Sequence, residues 1–179
     1  MKQMTIAKLV AVAAAGLLSQ AAFADGGTVN FNGNIVDSPC TVDPSSQNIT
    51  VPLGDVSRTV FGSVAGKKST PSKFTILLTD CGPTAKGATV TFTGTTDATV
   101  KDDLAIANAG QVGVTAATGV AIELGDSAGT KIPVGSASGT YVLGLGNNPL
   151  KFQAAYISTS TAVTVGPANS TAQFVVSYL

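Results

Sequence analysis

Few residues in this chain could do chemistry. Cys40 and Cys81 are its two cysteines, and there is no histidine anywhere. The missing histidine removes every Ser-His-Asp and Cys-His route to an activated nucleophile. With the cysteines committed to each other and no histidine, no structural zinc site is expected. Glu123 is the one glutamate; inside a predicted strand it is expected to face solvent rather than act as acid or base. Asp102-Asp103 is expected in an ordinary solvated loop, not on a metal. Leu143-Gly144-Leu145-Gly146 is glycine-rich, but no strand-to-helix context follows that would cradle a phosphate. Asn48-Ile49-Thr50 and Asn169-Ser170-Thr171 match a glycosylation triplet, which is common by chance. The expected inventory is therefore no catalytic residue, no metal ligand and no cofactor.

The fate of the two thiols depends on the compartment, and the N-terminus addresses that. Lys2 and Lys8 flank a basic start, Leu9 to Leu18 is apolar or small, and Ala22-Phe23-Ala24 places small residues where a signal peptidase reads. This layout predicts a secretory signal over residues 1–24. The apolar run is well short of the ~20 residues that a membrane span requires. In an oxidising compartment Cys40 and Cys81 are expected to pair; two separate buried thiols are the other reading. A bridge across a separation of 41 residues would contribute about 4 kcal/mol by restricting the unfolded chain.

Export would leave 179 − 24 = 155 residues, enough for one domain with its own core. Two of the ten basic residues leave with the signal, so the exported charge is 8 − 10 = −2. No basic stripe remains to suggest nucleic acid or an anionic membrane as partner. Charged residues make up only 11% of the chain, so little charge opposes self-association.

The elements that must position these residues are strands. No sustained i, i+3, i+4 apolar stripe follows the signal; short runs rich in Val, Thr, Ile and Phe alternate with Gly, Pro, Asn and Asp. Strands are predicted over 29–42, 49–53, 73–79, 88–93, 120–124, 131–134, 151–158 and 171–179. Phe74, Ile76 and Leu78 share one face, as do Val90 and Phe92, with threonines opposite Val90 and Phe92. Asp126-Ser127-Ala128-Gly129 has turn chemistry. Residues 99–118 are Ala- and Gly-rich and fit a loop, a short strand or one helical turn equally. This spacing predicts an all-β sandwich.

At the start of the exported chain Val29, Phe31, Gly33 and Ile35 fall on one face, with Thr28, Asn30, Asn32 and Asn34 on the other. Residues 25–35 suit an ordinary first strand. A detachable strand that pairs with another molecule is the second reading, and composition alone favours the first.

Several of these landmarks together resemble the pilins of the chaperone–usher pathway, the subunits of type 1 and P-type fimbriae. Gly27-Thr28-Val29-Asn30-Phe31-Asn32-Gly33 leading through Ser38-Pro39 to Cys40 is similar to the family's N-terminal extension. Val51-Pro52-Leu53-Gly54-Asp55-Val56, the run Phe74 to Cys81, Gly119 to Leu124 and Leu150 to Tyr156 resemble later family segments. Such pilins carry a glycine fourteenth from the end and a tyrosine second from the end; Gly166 and Tyr178 occupy those places, with Phe174 and Val176 alternating towards Tyr178.

The resemblance implies an incomplete immunoglobulin-like β-sandwich over residues 36–179, lacking its last strand. It also implies that residues 25–35 are a donor strand completing a neighbouring identical or related subunit. Expected partners are a periplasmic pilus chaperone, an outer-membrane usher and neighbouring pilins, with Gly166, Phe174, Val176 and Tyr178 serving chaperone and subunit binding. The expected product is an extracellular fimbria on the bacterial surface that supports cell adhesion. A minor adaptor or tip-associated subunit shares every landmark and is the alternative. A tip adhesin would need a lectin domain ahead of the pilin domain, and a secreted hydrolase is a distant third reading.

Overall fold

The computed structural model describes residues 28–32, 39–107, 113 and 115–179. The chain divides into two units, Met1–Val36 and Asp37–Leu179. In the first, Thr28 to Asn32 forms no regular element, and Val29 and Phe31 are 71% and 91% exposed. Gly33 and Ile35 lie outside the described residues, as does the segment 1–24. No helix among the described residues is long and apolar enough to cross a membrane.

The second unit is two antiparallel sheets. β1 (Thr41–Val42), β2 (Ser72–Cys81), β7 (Gly146–Ser158), β5 (Val120–Asp126) and β4 (Leu104–Ala105) form the larger, in the order β1-β2-β7-β5-β4. β6 (Tyr141–Val142), β3 (Gly87–Gly94) and β8 (Ala172–Tyr178) form the smaller, in the order β6-β3-β8. The period-two pattern sets the registers: Phe74 lies opposite Phe152 and Ile76 opposite Leu150, while Val90 lies opposite Val176 and Phe92 opposite Phe174. The inner faces meet at Phe92 and Phe152, whose rings stand edge to face at 5.1 Å, with Phe74 stacked on Phe152 at 5.6 Å. Ile76, Leu78, Val90 and Leu150 are buried around them, each contributing about 1.5–3 kcal/mol. A disulfide joins Cys40 to Cys81 beside this core.

Where ladders break, buried serines take over the backbone donors. Ser46 Oγ accepts from Leu77 N, Ser138 Oγ from Val90 N, Ser69 Oγ from Tyr156 N and Ser158 Oγ from Lys67 N.

Several sequence expectations change. Within 29–42 only Thr41–Val42 pairs among the described residues. Ile49 to Leu53 forms no ladder among the described residues, and Pro52 lacks an N–H to give one. Lys131 to Val134 makes a single bridge to Gly125, because Pro133 ends the pairing after Ile132 N reaches Leu124 O. The ambiguous 99–118 stretch contains β4, and β6 was not anticipated. The turn after β5 forms as expected, with Asp126 Oδ1 accepting from Ala128 N and Thr130 N.

Of the acidic expectations, Asp102 is exposed as expected and the other two residues are not. Asp103 is fully buried and Glu123 only 8% exposed. Both faces of β5 are covered, so Glu123 points into protein, where Lys68 pairs with it.

Candidate functional site

β8 is an edge strand whose inward side chains are left half covered. One edge pairs with β3 from Ala172 to Tyr178; the other has no ladder among the described residues. Phe174, Val176 and Tyr178 turn towards the core yet remain half-buried, while Gln173, Val175 and Ser177 are exposed. The sequence brought these three inward residues to one face, and the structure keeps them there.

A second unpaired segment flanks β8. At one end Tyr178 Oη donates to the Cys40 carbonyl, 3.3 Å away. At the other end Gly54, Asp55 and Val56 share a cleft with Val165 to Asn169, the residues leading into β8. The chain from Cys40 to Val56 thus meets the terminal segment near both ends of β8. Its stretch 48–56 makes no backbone–backbone hydrogen bond among the described residues; the Pro52 carbonyl is met only by Ser72 Oγ, at 2.6 Å. Ile49, Val51 and Leu53 are half-buried against the core, alternating with exposed Thr50, Pro52 and Gly54. Sequence reasoning marked this stretch as a strand but not as part of a site; the alternation interrupted by Pro52 was the available signal.

The outer edge of β8 and the stretch 48–56 both leave backbone unpaired among the described residues, and both carry half-covered apolar side chains packed on the same core. One added strand would satisfy both the open hydrogen-bonding edge and the exposed apolar surface.

The cleft at the Val165–Asn169 end has a volume of about 500 Å³ and is lined by Val56, Phe61, Val120, Tyr156, Val165 and Pro167, among others. Tyr156 Oη donates to the Ala168 carbonyl at 2.8 Å and fixes one wall. Burial, and then the charge of Asp55, push the Tyr156 phenol above its usual range, so it stays a donor. Gly166 lies here, ahead of β8 rather than within it. A Cβ on Gly166 would stand 2.6 Å from the Thr115 carbonyl oxygen and 2.8 Å from Ala117 N, so only glycine lets the two backbones meet. Gly119 serves the same contact from the other side, where a Cβ would reach 2.3 Å from the Ala162 carbonyl oxygen. Sequence reasoning missed both Tyr156 and Gly119.

The model of the family described as "Fimbrial protein" matches residues 29–179, spanning both sheets, the groove and the terminal strand. The chain belongs to the fimbrial protein family. This fimbrial subunit is 37% identical to the "probable major fimbrial subunit LpfA" of Escherichia coli O157:H7, over 99% of this chain and 97% of that protein. It is also 37% identical to the "fimbrial subunit type 1" of Salmonella typhimurium, over 97% of this chain and 95% of that one. Among solved structures, a chain of a chaperone–usher pilus superposes with a TM-score of 0.65 at 27% identity, covering 87% of this chain and 96% of its own. The sandwich described above is thus the immunoglobulin-like pilin fold, and the subunit is a structural component of surface fimbriae that assembles with neighbouring subunits.

Proposed function

We propose that this subunit polymerises by donating residues 25–35 as a strand to the groove of the next copy and by accepting the same segment into its own. The observation that carries this reading is the unpaired outer edge of β8 flanked by the unpaired stretch 48–56, a gap suited to one extended segment. The donor fits it chemically: Val29 and Phe31 are exposed in the isolated chain and alternate with polar residues. Each would bring about 1.5–3 kcal/mol on burial, before the cost of ordering. Gly33 suits a place on the groove floor with no room for a side chain, and Ile35 extends the apolar face. Since each subunit both gives and receives, the contact is head-to-tail and propagates into a fibre.

An exposed groove of this kind is an aggregation template before assembly. A periplasmic chaperone covering Phe174, Val176 and Tyr178 would protect it, with an outer-membrane usher exchanging chaperone for donor. Export under a signal over residues 1–24 delivers the chain to that compartment. The "major" subunit among the relatives favours a rod role over an adaptor role.

A synthetic peptide of residues 25–35 tests the fit. Added to a subunit lacking that segment as its chaperone is removed, the peptide should yield a protease-resistant complex. A peptide with Val29→Ser and Phe31→Ser should not. Equal protection by both peptides would reject the pairing of apolar side chains with groove.

A further inference from the structure

Away from the groove, the structure buries a charge cluster that neither assembly nor the disulfide explains. Asp103 lies at the end of the loop between β3 and β4 and is fully buried. Lys131, just after the turn that follows β5, places Nζ 2.8 Å from Asp103 Oδ1. The ammonium approaches outside hydrogen-bonding geometry, and neither Asp103 oxygen has a well-aligned donor. The same ammonium stands 4.0 Å from Glu123 Oε2 on β5 and 3.9 Å from the exposed carboxylate of Asp102. Lys68, bridged to β7 at Ile157, pairs with the other Glu123 oxygen. Asp97, in the Asp103 loop, is already occupied: its Oδ1 accepts from Thr99 N and Val100 N. Three carboxylates therefore share two ammonium groups, and the most deeply buried carboxylate depends on a cation shared three ways.

We propose that Asp103 is a proton-binding switch of the folded subunit: as an ion it is held by Lys131, and as pH falls it becomes a neutral carboxyl that leaves Lys131 to Glu123 and Asp102. Desolvation is the main force raising its protonation range, opposed by Lys131 and reinforced by the charges of Glu123 and Asp102. The sign follows. An aspartate whose folded range lies above its unfolded value of 3.8 binds its proton more tightly when folded. The fold therefore gains stability as pH falls through the folded value, and the gain is complete below the unfolded one. Asp103 thus gives the subunit a contribution that tightens it as pH falls, without a histidine.

Infrared titration of protonated carboxyl groups in purified fimbriae tests the switch. Wild type should protonate one carboxyl per subunit ahead of its other aspartates as pH falls, and Asp103→Asn fimbriae should lack that step. Superimposable titrations would overturn the proposal. Lys131→Met should reduce subunit accumulation at neutral pH by leaving Asp103 buried without its cation. Adding Asp103→Asn to Lys131→Met should restore accumulation by removing the charge. Unimpaired Lys131→Met, or a double variant no better than the single one, would also overturn it.

Discussion

Tyr178 and Cys40, 138 positions apart in sequence, are joined by a hydrogen bond from the tyrosine hydroxyl to the cysteine carbonyl. The bond ties the end of the terminal strand to the disulfide-bonded Cys40. Tyr178→Phe keeps the ring and deletes the donor. The expected cost is about 0.5–1.5 kcal/mol, read from denaturant unfolding of peptide-complemented subunit.

At the opposite end the groove depends on close backbone approach. Gly166→Ala puts a methyl against Thr115 and Ala117, where main chain rather than a flexible side chain must move. A loss of about 1–3 kcal/mol is expected. Gly139→Ala is the control: nothing lies within 4 Å of that Cβ, and its effect should be near zero. Thermal or denaturant unfolding of both variants decides whether the contact or mere glycine loss is responsible.

The acid side of stability has a component opposite to that of Asp103. Asp126 is held below its ordinary range mainly by hydrogen bonds from Thr130, with further ones from Ala128 and Gly129. Its contribution is present above 3.8 and is lost as pH falls through the lower folded value. Amide exchange at Ala128 and Thr130 should accelerate in that strongly acidic window. In Asp126→Ala it should already be fast at neutral pH.

The sandwich was legible because alternation reports burial directly. Phe74, Ile76, Leu78, Val90 and Phe92 all occupy the inner faces their spacing assigned. The half-covered face of Phe174, Val176 and Tyr178 was legible as a face, while its incompleteness came from the family resemblance. Periodicity cannot say whether a neighbouring strand exists. The same limit explains Ile49 to Leu53, whose pattern is that of a strand with no ladder among the described residues. Asp103 and Glu123 were misread because charge signals solvent only when nothing pairs it. Their cations, Lys131 and Lys68, come from separate segments that only the fold brings together. Gly119 and Tyr156 were invisible for the same reason, since a close approach or a cross-chain hydroxyl bond leaves no local pattern.

The central claim is that residues 25–35 complete a neighbour rather than their own subunit. The most direct measurement is soluble chaperone–subunit complex alongside fimbriae counted by electron microscopy, for a deletion of residues 26–32 and for Gly33→Asn. Gly33→Asn would place an amide against an apolar wall at a cost of about 1–3 kcal/mol plus steric strain. Normal amounts of chaperone-bound subunit and no fimbriae are expected in both variants. Normal fimbriae from the deletion, or loss of the soluble complex in both, would contradict it.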